Sequence, residues 1–182
     1  MGRGAGKLAP LFRVVPSGMH FVFTTEQTGK RADEIVDYLL GPRLWIPQID
    51  YPDFDVWATK VHTQLKHERK RAIIALAGDN VVGAIIYQKH QLLPDVLEIK
   101  NITVRPDARG RFMASFLLRN AEIEGSRDFG SHEVLVDAKA RNLAIRSFLL
   151  RNQYRTLGVA DLYGLGAGED VVYRKRISCI GV

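Results

Sequence analysis

Val104-Arg105-Pro106-Asp107-Ala108-Arg109-Gly110-Arg111-Phe112-Met113-Ala114 is the stretch on which the fold turns. A run of strand formers ends at Val104, Pro106 and Gly110 bend the chain, and helix formers follow at once. Amides at a helix N-terminus lack carbonyl partners, and the helix dipole favours negative charge beside them. Gly110 lets backbone approach a ligand closely. Arg105, Arg109 and Arg111 add positive charge and a fork that matches phosphate oxygens. The turn therefore reads as an anion cradle; a solvated loop before a capped helix is the plainer alternative.

Outward from this turn, the preceding strand covers Val96 to Val104. Its apolar residues change face between Ile99 and Ile102, which allows a bulge. The following helix runs from Phe112 to Glu124, and Glu133 to Asp137 is a strand. Strand, helix, strand is a crossover, so these two strands are expected to be parallel neighbours. Upstream, Ala72–Ala77 and Val81–Tyr87 form a hairpin across Gly78-Asp79-Asn80. Before it lie a strand at His20 to Thr24, a helix from a Thr28 cap to Leu40, an aromatic, Pro-broken loop from Leu44 to Phe54, and a helix from Asp53 or Asp55 towards Arg71. That helix carries Val56, Trp57, Val61 and Leu65 on one side. Downstream, Asn142 to Asn152 is a helix offering Leu143, Ile145, Phe148 and Leu149 for burial. Strands at Gly158 to Tyr163 and Val171 to Tyr173 close the chain around Gly164, Gly166 and Gly168. The order predicts an α/β fold: one mixed, mostly antiparallel central sheet flanked by helices, with the βαβ crossover at the anion turn. Residues 1–18 read as a flexible N-terminal extension and 19–182 as a single domain.

Composition bounds the function. The chain has 182 residues, 46% hydrophobic and 25% charged, enough for one sizeable core. No apolar run approaches the ~20 residues that span a bilayer, and no membrane role is expected. The single cysteine, Cys179, cannot form an internal disulfide and fits a cytoplasmic location. The net charge of +6 and pI of about 9.6 attract anions, either a polyphosphate ligand or nucleic acid. The densest basic run, Lys66 to Arg71, reads as the solvated end of a helix. His62 and His67 are five apart, the wrong spacing for a helical zinc pair, so no metal site is expected.

The turn resembles motif A of the GNAT acetyltransferases, a strand ending in Val, then Pro, then an Arg/Gln-x-x-Gly-x-Gly/Ala signature opening a helix. Arg109 matches the first signature position and Ala114 the last, while Phe112 stands where the family's central Gly usually sits. Val136 to Asn142 and the helix behind it are similar to motif B. The resemblance implies a GNAT fold, acetyl-CoA or another acyl-CoA as cosubstrate, and transfer of the acyl group to a primary amine. It assigns the cosubstrate to Thr103, Val104, Arg109, Gly110, Arg111, Phe112, Met113, Ala114 and Asn142, where Asn142 is alternatively a simple N-cap. It places a general base at Glu98. The family's usual acid position is Leu149 here, and Tyr154 is the substitute. Asp50, Asp53 and Asp55 could hold a cationic amine, or one of them caps its helix.

Phe112 and Leu149 keep a second reading open, a CoA-binding regulatory module with weak or no catalysis. A third is an acyltransferase acting on aminoacyl-tRNA, motivated by Lys66 to Arg71 and Arg174-Lys175-Arg176. Dispersal of the basic residues and the lack of a nucleic-acid motif argue against it. The apolar tail strands could pair between two chains, which leaves a homodimer open.

Overall fold

The computed structural model describes residues 21–26, 29–40, 52–164 and 168–178. The expected extension over 1–18, the Thr28 cap, the loop from Leu44 to Tyr51 and Cys179 lie outside them. Seven strands form one sheet: β1 (Phe21–Glu26), β2 (Arg71–Ala77), β3 (Asn80–Lys89), β4 (Val96–Val104), β5 (Glu133–Lys139), β6 (Arg155–Ala160) and β7 (Asp170–Arg176). The helices are α1 (Ala32–Leu40), α2 (Phe54–Lys66), α3 (Met113–Phe129) and α4 (Leu143–Arg151). The strand order is β1-β2-β3-β4-β5-β7-β6. Every neighbouring pair is antiparallel except β4 with β5, which α3 joins as the expected crossover.

Both faces of the sheet's centre are covered, which is why β2 and β3 read as continuous apolar runs. Strand alternation puts Ile73 and Ala75 in the core that α3 closes with Met113, Leu117, Leu118 and Ala121. Ala72, Ile74 and Leu76 point the other way, into the layer of α1 and α2 with Ile35, Leu39, Val61 and Leu65.

Several boundaries differ from the sequence reading. The α1 helix begins at Ala32, because the Glu26 carboxylate accepts the amides of Lys30 (2.9 Å) and Arg31 (3.2 Å) and completes the turn before it. On α2 the buried stripe is Ala58, Val61 and Leu65; Val56 is 71% exposed and does not join it. The helix stops at Lys66 instead of reaching Arg71, and the basic run divides. Lys66 to Arg69 are exposed, Lys70 is only 4% exposed, and Arg71 opens β2 in an ion pair with Asp128. The α3 helix starts one residue later than expected and runs on to Phe129. On α4 Leu149 is buried, whereas Leu143 is 67% exposed. The β6 strand spans Arg155–Ala160, earlier than the expected Gly158 to Tyr163.

Candidate active site

The β4 and β5 strands start as parallel partners and then part. They pair from Val96 with Glu133 to Ile99 with Val136 and no further. The cause lies on β4, where Ile86 of β3 faces Asn101 while Tyr87 faces Ile99, so Lys100 is an extra residue. Such a bulge bends its strand and re-aims side chains. The fork opens into a cavity of about 1080 Å³, walled by Ile99 to Val104 of β4, by Val136, Asp137 and Lys139 of β5, and by one face of α2 and of α4.

The fork leaves β4 backbone groups for a ligand. The Arg105 amide donates to Val82 O of β3 at 2.8 Å. Backbone groups alternate sides along a strand, so Thr103 faces β3 as Arg105 does, while Val104 and Ile102 face the fork. Two hydroxyls add to the contacts around Thr103. Tyr38 of α1 donates to Thr103 O and Val82 O, both at 3.3 Å, and the Thr103 hydroxyl pairs with Asn101 Oδ1 at 2.7 Å. Burial, eased by the Arg105 and Arg109 charges, pushes the Tyr38 phenol up to about 12, so it stays a donor. On the fork side, Arg109 Nε donates to Val104 O at 2.9 Å.

At the mouth of the fork sits the N-terminus of α3. The chain turns through Pro106–Ala108, and Gly110 (φ 75°) and Phe112 (φ 57°) both take left-handed backbone. Phe112 occupies the cap position without a side-chain cap bond. The amides of Phe112, Met113, Ala114 and Ser115 precede the helix's own acceptors by geometry. The Phe112 side chain is 86% exposed. Arg111 rests over the Phe21 ring at 5.7 Å. Met113 turns its sulfur inward beneath β3, and a Cβ at Gly83 would lie 3.0 Å from it. Ala114 lines the cavity. On the opposite wall, Asn142 Oδ1 accepts the Ile145 amide at 3.3 Å, so Asn142 is both the cap of α4 and part of the lining.

Polar side chains line the cavity beyond the bulge. Lys70 Nζ donates to Gln88 Oε1, Gln88 Nε2 donates to Glu98 Oε2 at 2.6 Å, and Lys100 Nζ donates to Glu98 Oε1 at 2.9 Å. Burial raises the Glu98 carboxyl, but the Lys100 ammonium and the Gln88 amide outweigh it and hold the group below its ordinary value. Gln88 and Lys100 line the cavity and Glu98 does not. Asp137 is on the wall itself and accepts the Tyr163 hydroxyl at 3.0 Å. Burial raises the Asp137 carboxyl above its ordinary value, against the opposing Lys100 charge. Burial and Asp137 together raise the Tyr163 phenol.

Other residues fall elsewhere. Tyr154 is buried in the core, 2% exposed, with its hydroxyl on Glu122 Oε1 at 3.0 Å and away from the lining. Glu122 also holds Lys175 at 2.8 Å, and burial with this carboxylate pushes the Tyr154 phenol well up. A fully packed phenol hydrogen-bonded to an anion is not placed to protonate a leaving group in the cavity. Leu149 is likewise core. Asp53 holds the α2 cap position without a side-chain cap bond and lines the cavity. Asp137, Tyr163 and Lys70 escaped the sequence reading. A carboxylate at the carboxyl end of a parallel strand was a usable signal for Asp137; nothing local marks Tyr163 or Lys70. Of the basic runs, Arg174 and Arg176 pair with Glu133 at 3.2 and 3.3 Å and Lys175 with Glu122, while Lys66 to Arg69 stay exposed. Among the described residues no helix is long and apolar enough to cross a membrane.

Solved structures share this architecture. A protein from Desulfovibrio desulfuricans assigned to the GNAT acetyltransferases superposes with a TM-score of 0.71 at 15% identity, covering 87% of this chain and all of that one. An acetyltransferase of the GNAT family from Streptococcus pneumoniae gives 0.66 at 15%, with the same coverage of 87% and 100%. An aminoglycoside 6'-N-acetyltransferase complexed with coenzyme A gives 0.64 at 15%, over 85% of this chain and 96% of that one. At such identities the likeness speaks for the fold. The comparison with curated protein sequences gives no match. The model of the acetyltransferase (GNAT) family matches residues 35–159, well over half of the sequence, and the chain belongs to that family.

Proposed function

We propose that this protein transfers an acyl group, acetyl in the first instance, from acyl-CoA to a primary amine in the forked cavity. The observation that carries the reading is the fork itself: a parallel pair split by a bulge, with a helix N-terminus at its mouth. The residues present fit the cosubstrate. Amides of Phe112, Met113 and Ala114 suit a pyrophosphate, with Gly110 leaving room and Arg109 and Arg111 adding charge. Val104 and Ile102 amides suit the pantetheine arm and the thioester oxygen, while Thr103 keeps a structural task on the β3 side. Asn142 fixes the start of the second wall. Phe112 at the cap position keeps a weak or inactive CoA-binding module as the rival reading, and the pairing of Arg174, Lys175 and Arg176 with Glu133 and Glu122 weighs against an RNA-linked acceptor.

Acyl-CoA, when bound, supplies an activated carbonyl and a thiol leaving group. Asp137 is our choice for the base that takes the proton the amine must lose, because it stands on the wall with a raised affinity for protons. Tyr163 orients Asp137 and can hand its hydroxyl proton to the departing sulfur while taking the one Asp137 has gained. Glu98 is the weaker choice for the base, since two donors occupy its oxygens and lower its basicity. The test is kinetic. Asp137→Asn should lower kcat by at least ~10²-fold, as loss of a general base does, and Glu98→Gln only a few-fold. The reverse order would put the base at Glu98, and equal rates for both variants and the parent would remove both.

A further inference from the structure

The end of the cavity lined by α2 bears on the acceptor's chemistry. There α2 presents Asp53, Trp57, Lys60 and Gln64 at helical spacing on the cavity side. Facing them are Lys70 at the start of β2, Gln88 of β3 and Lys100 on the β4 bulge. Lys100 is matched by Glu98. Lys70 is almost wholly buried, and its hydrogen-bond partner is the uncharged amide of Gln88. Burial first, then the charges of Lys100 and Lys60, bring Lys70 down to about 8, with the Glu98 carboxylate opposing them. Three ammonium groups thus act on one another across one small volume. Gln64 beside them has its Oε1 buried without a hydrogen-bond partner. Folding sets a cation inside against water and against its neighbours, an arrangement that an anion from outside would relieve.

Resting on that function, we propose that the acceptor amine carries an anionic group, a carboxylate or a phosphate, which Lys70 binds with help from Lys60 and Lys100. The apolar surface of Phe54, Val56 and Trp57 lies along the same wall, so the acceptor also brings an apolar portion. The site favours small, amino-acid-like amines over polyamines or the lysines of a basic tail. A polycationic acceptor would meet Lys60, Lys70 and Lys100 there, offset only by Asp53 and by a Glu98 already engaged with Lys100, which costs binding.

The experiment compares matched pairs of acceptors on the full-length chain with acetyl-CoA. Phenylalanine and phenylalaninamide test the carboxylate, and phosphoethanolamine and ethanolamine test the phosphate. The charged member of at least one pair should have a kcat/KM at least ~10-fold higher, and the favoured pair tells carboxylate from phosphate. Lys70→Met should erase that preference. Equal rates within both pairs, or a preference intact in Lys70→Met, would overturn the proposal. If no acceptor turns over, calorimetric binding of the same pairs to the CoA-loaded protein decides. Tighter binding of an acid supports the anionic acceptor, and equal or absent binding overturns it. Failure of acetyl-CoA itself to bind would sink the transferase reading instead, so the two failures are distinct.

Discussion

At the residue scale, the cavity sets two titratable groups against their ordinary behaviour. Asp137 holds its proton more tightly because burial disfavours the charged form, and Lys70 releases its proton more readily for the same reason. The Lys70 shift has a stability consequence. The folded chain gives up this proton near pH 8, the unfolded chain only near ~10.4, the unperturbed lysine value. Between those values the unfolded state binds the extra proton, so stability rises with pH across that window. The burial penalty is therefore complete below pH 8 and gone above the unfolded value. Lys70→Met keeps the length of the side chain and removes the charge. It should raise Tm at pH 7, and the gain over the parent should shrink towards pH 10. A residue kept for stability would show the opposite sign. Phe112 shows the limit of residue-by-residue matching. It stands at a position whose left-handed backbone favours glycine, and its side chain is 86% exposed there.

At the element scale, the site depends on α3 lying tightly against β3 and β4. Gly125 sits where α3 crosses β4, and a Cβ there would come within 2.5 Å of Leu97 Cδ2. Leu97 is fully buried and cannot swing aside. Gly125→Ala should destabilise by ~1–3 kcal/mol through overpacking, set against the ~1 kcal/mol that alanine offers a helix. Gly83→Ala should cost less, because its nearest neighbour is the flexible Met113 thioether at 3.0 Å. Urea midpoints of the two variants check the order. The bulge at Lys100 is the other element-level device. Without the extra residue, β4 would keep its ladder with β5 beyond Ile99 and the fork would close.

At the scale of the whole molecule, the cavity draws walls from both ends of the sequence. The α2 wall comes before the first central strand, and Tyr163 comes from the segment between β6 and β7. A ligand bridging these walls stabilises the folded state as a unit. At a hundred times its Kd, acetyl-CoA should add about 2.7 kcal/mol, a rise in Tm of ~5–10 °C for a domain of this size. Differential scanning fluorimetry across a concentration series tests this, and no rise at millimolar acetyl-CoA would contradict the proposed function.

Local rules carried the sequence a long way. The hairpin around Gly78, the crossover from Val96 to Asp137, the helix-opening turn at Arg105 to Ala114 and the Asn142 cap are contests decided within a few residues. The pattern of apolar residues and turn formers records them directly. The bulge in β4 was also visible there, as a switch of face along one strand. What the tertiary structure alone decided is which polar side chains meet. Tyr154 and Tyr163 look alike in the sequence. One is enclosed against Glu122 and the other reaches Asp137, because β5 and β7 pair between them. Lys70 belongs to a run that reads as a solvated helix end, and it is buried because the chain turns from α2 into β2 just before it. Burial and long-range electrostatics depend on every element packed around a group, so the fold was legible in the sequence and the acid, the base and the anion anchor were not.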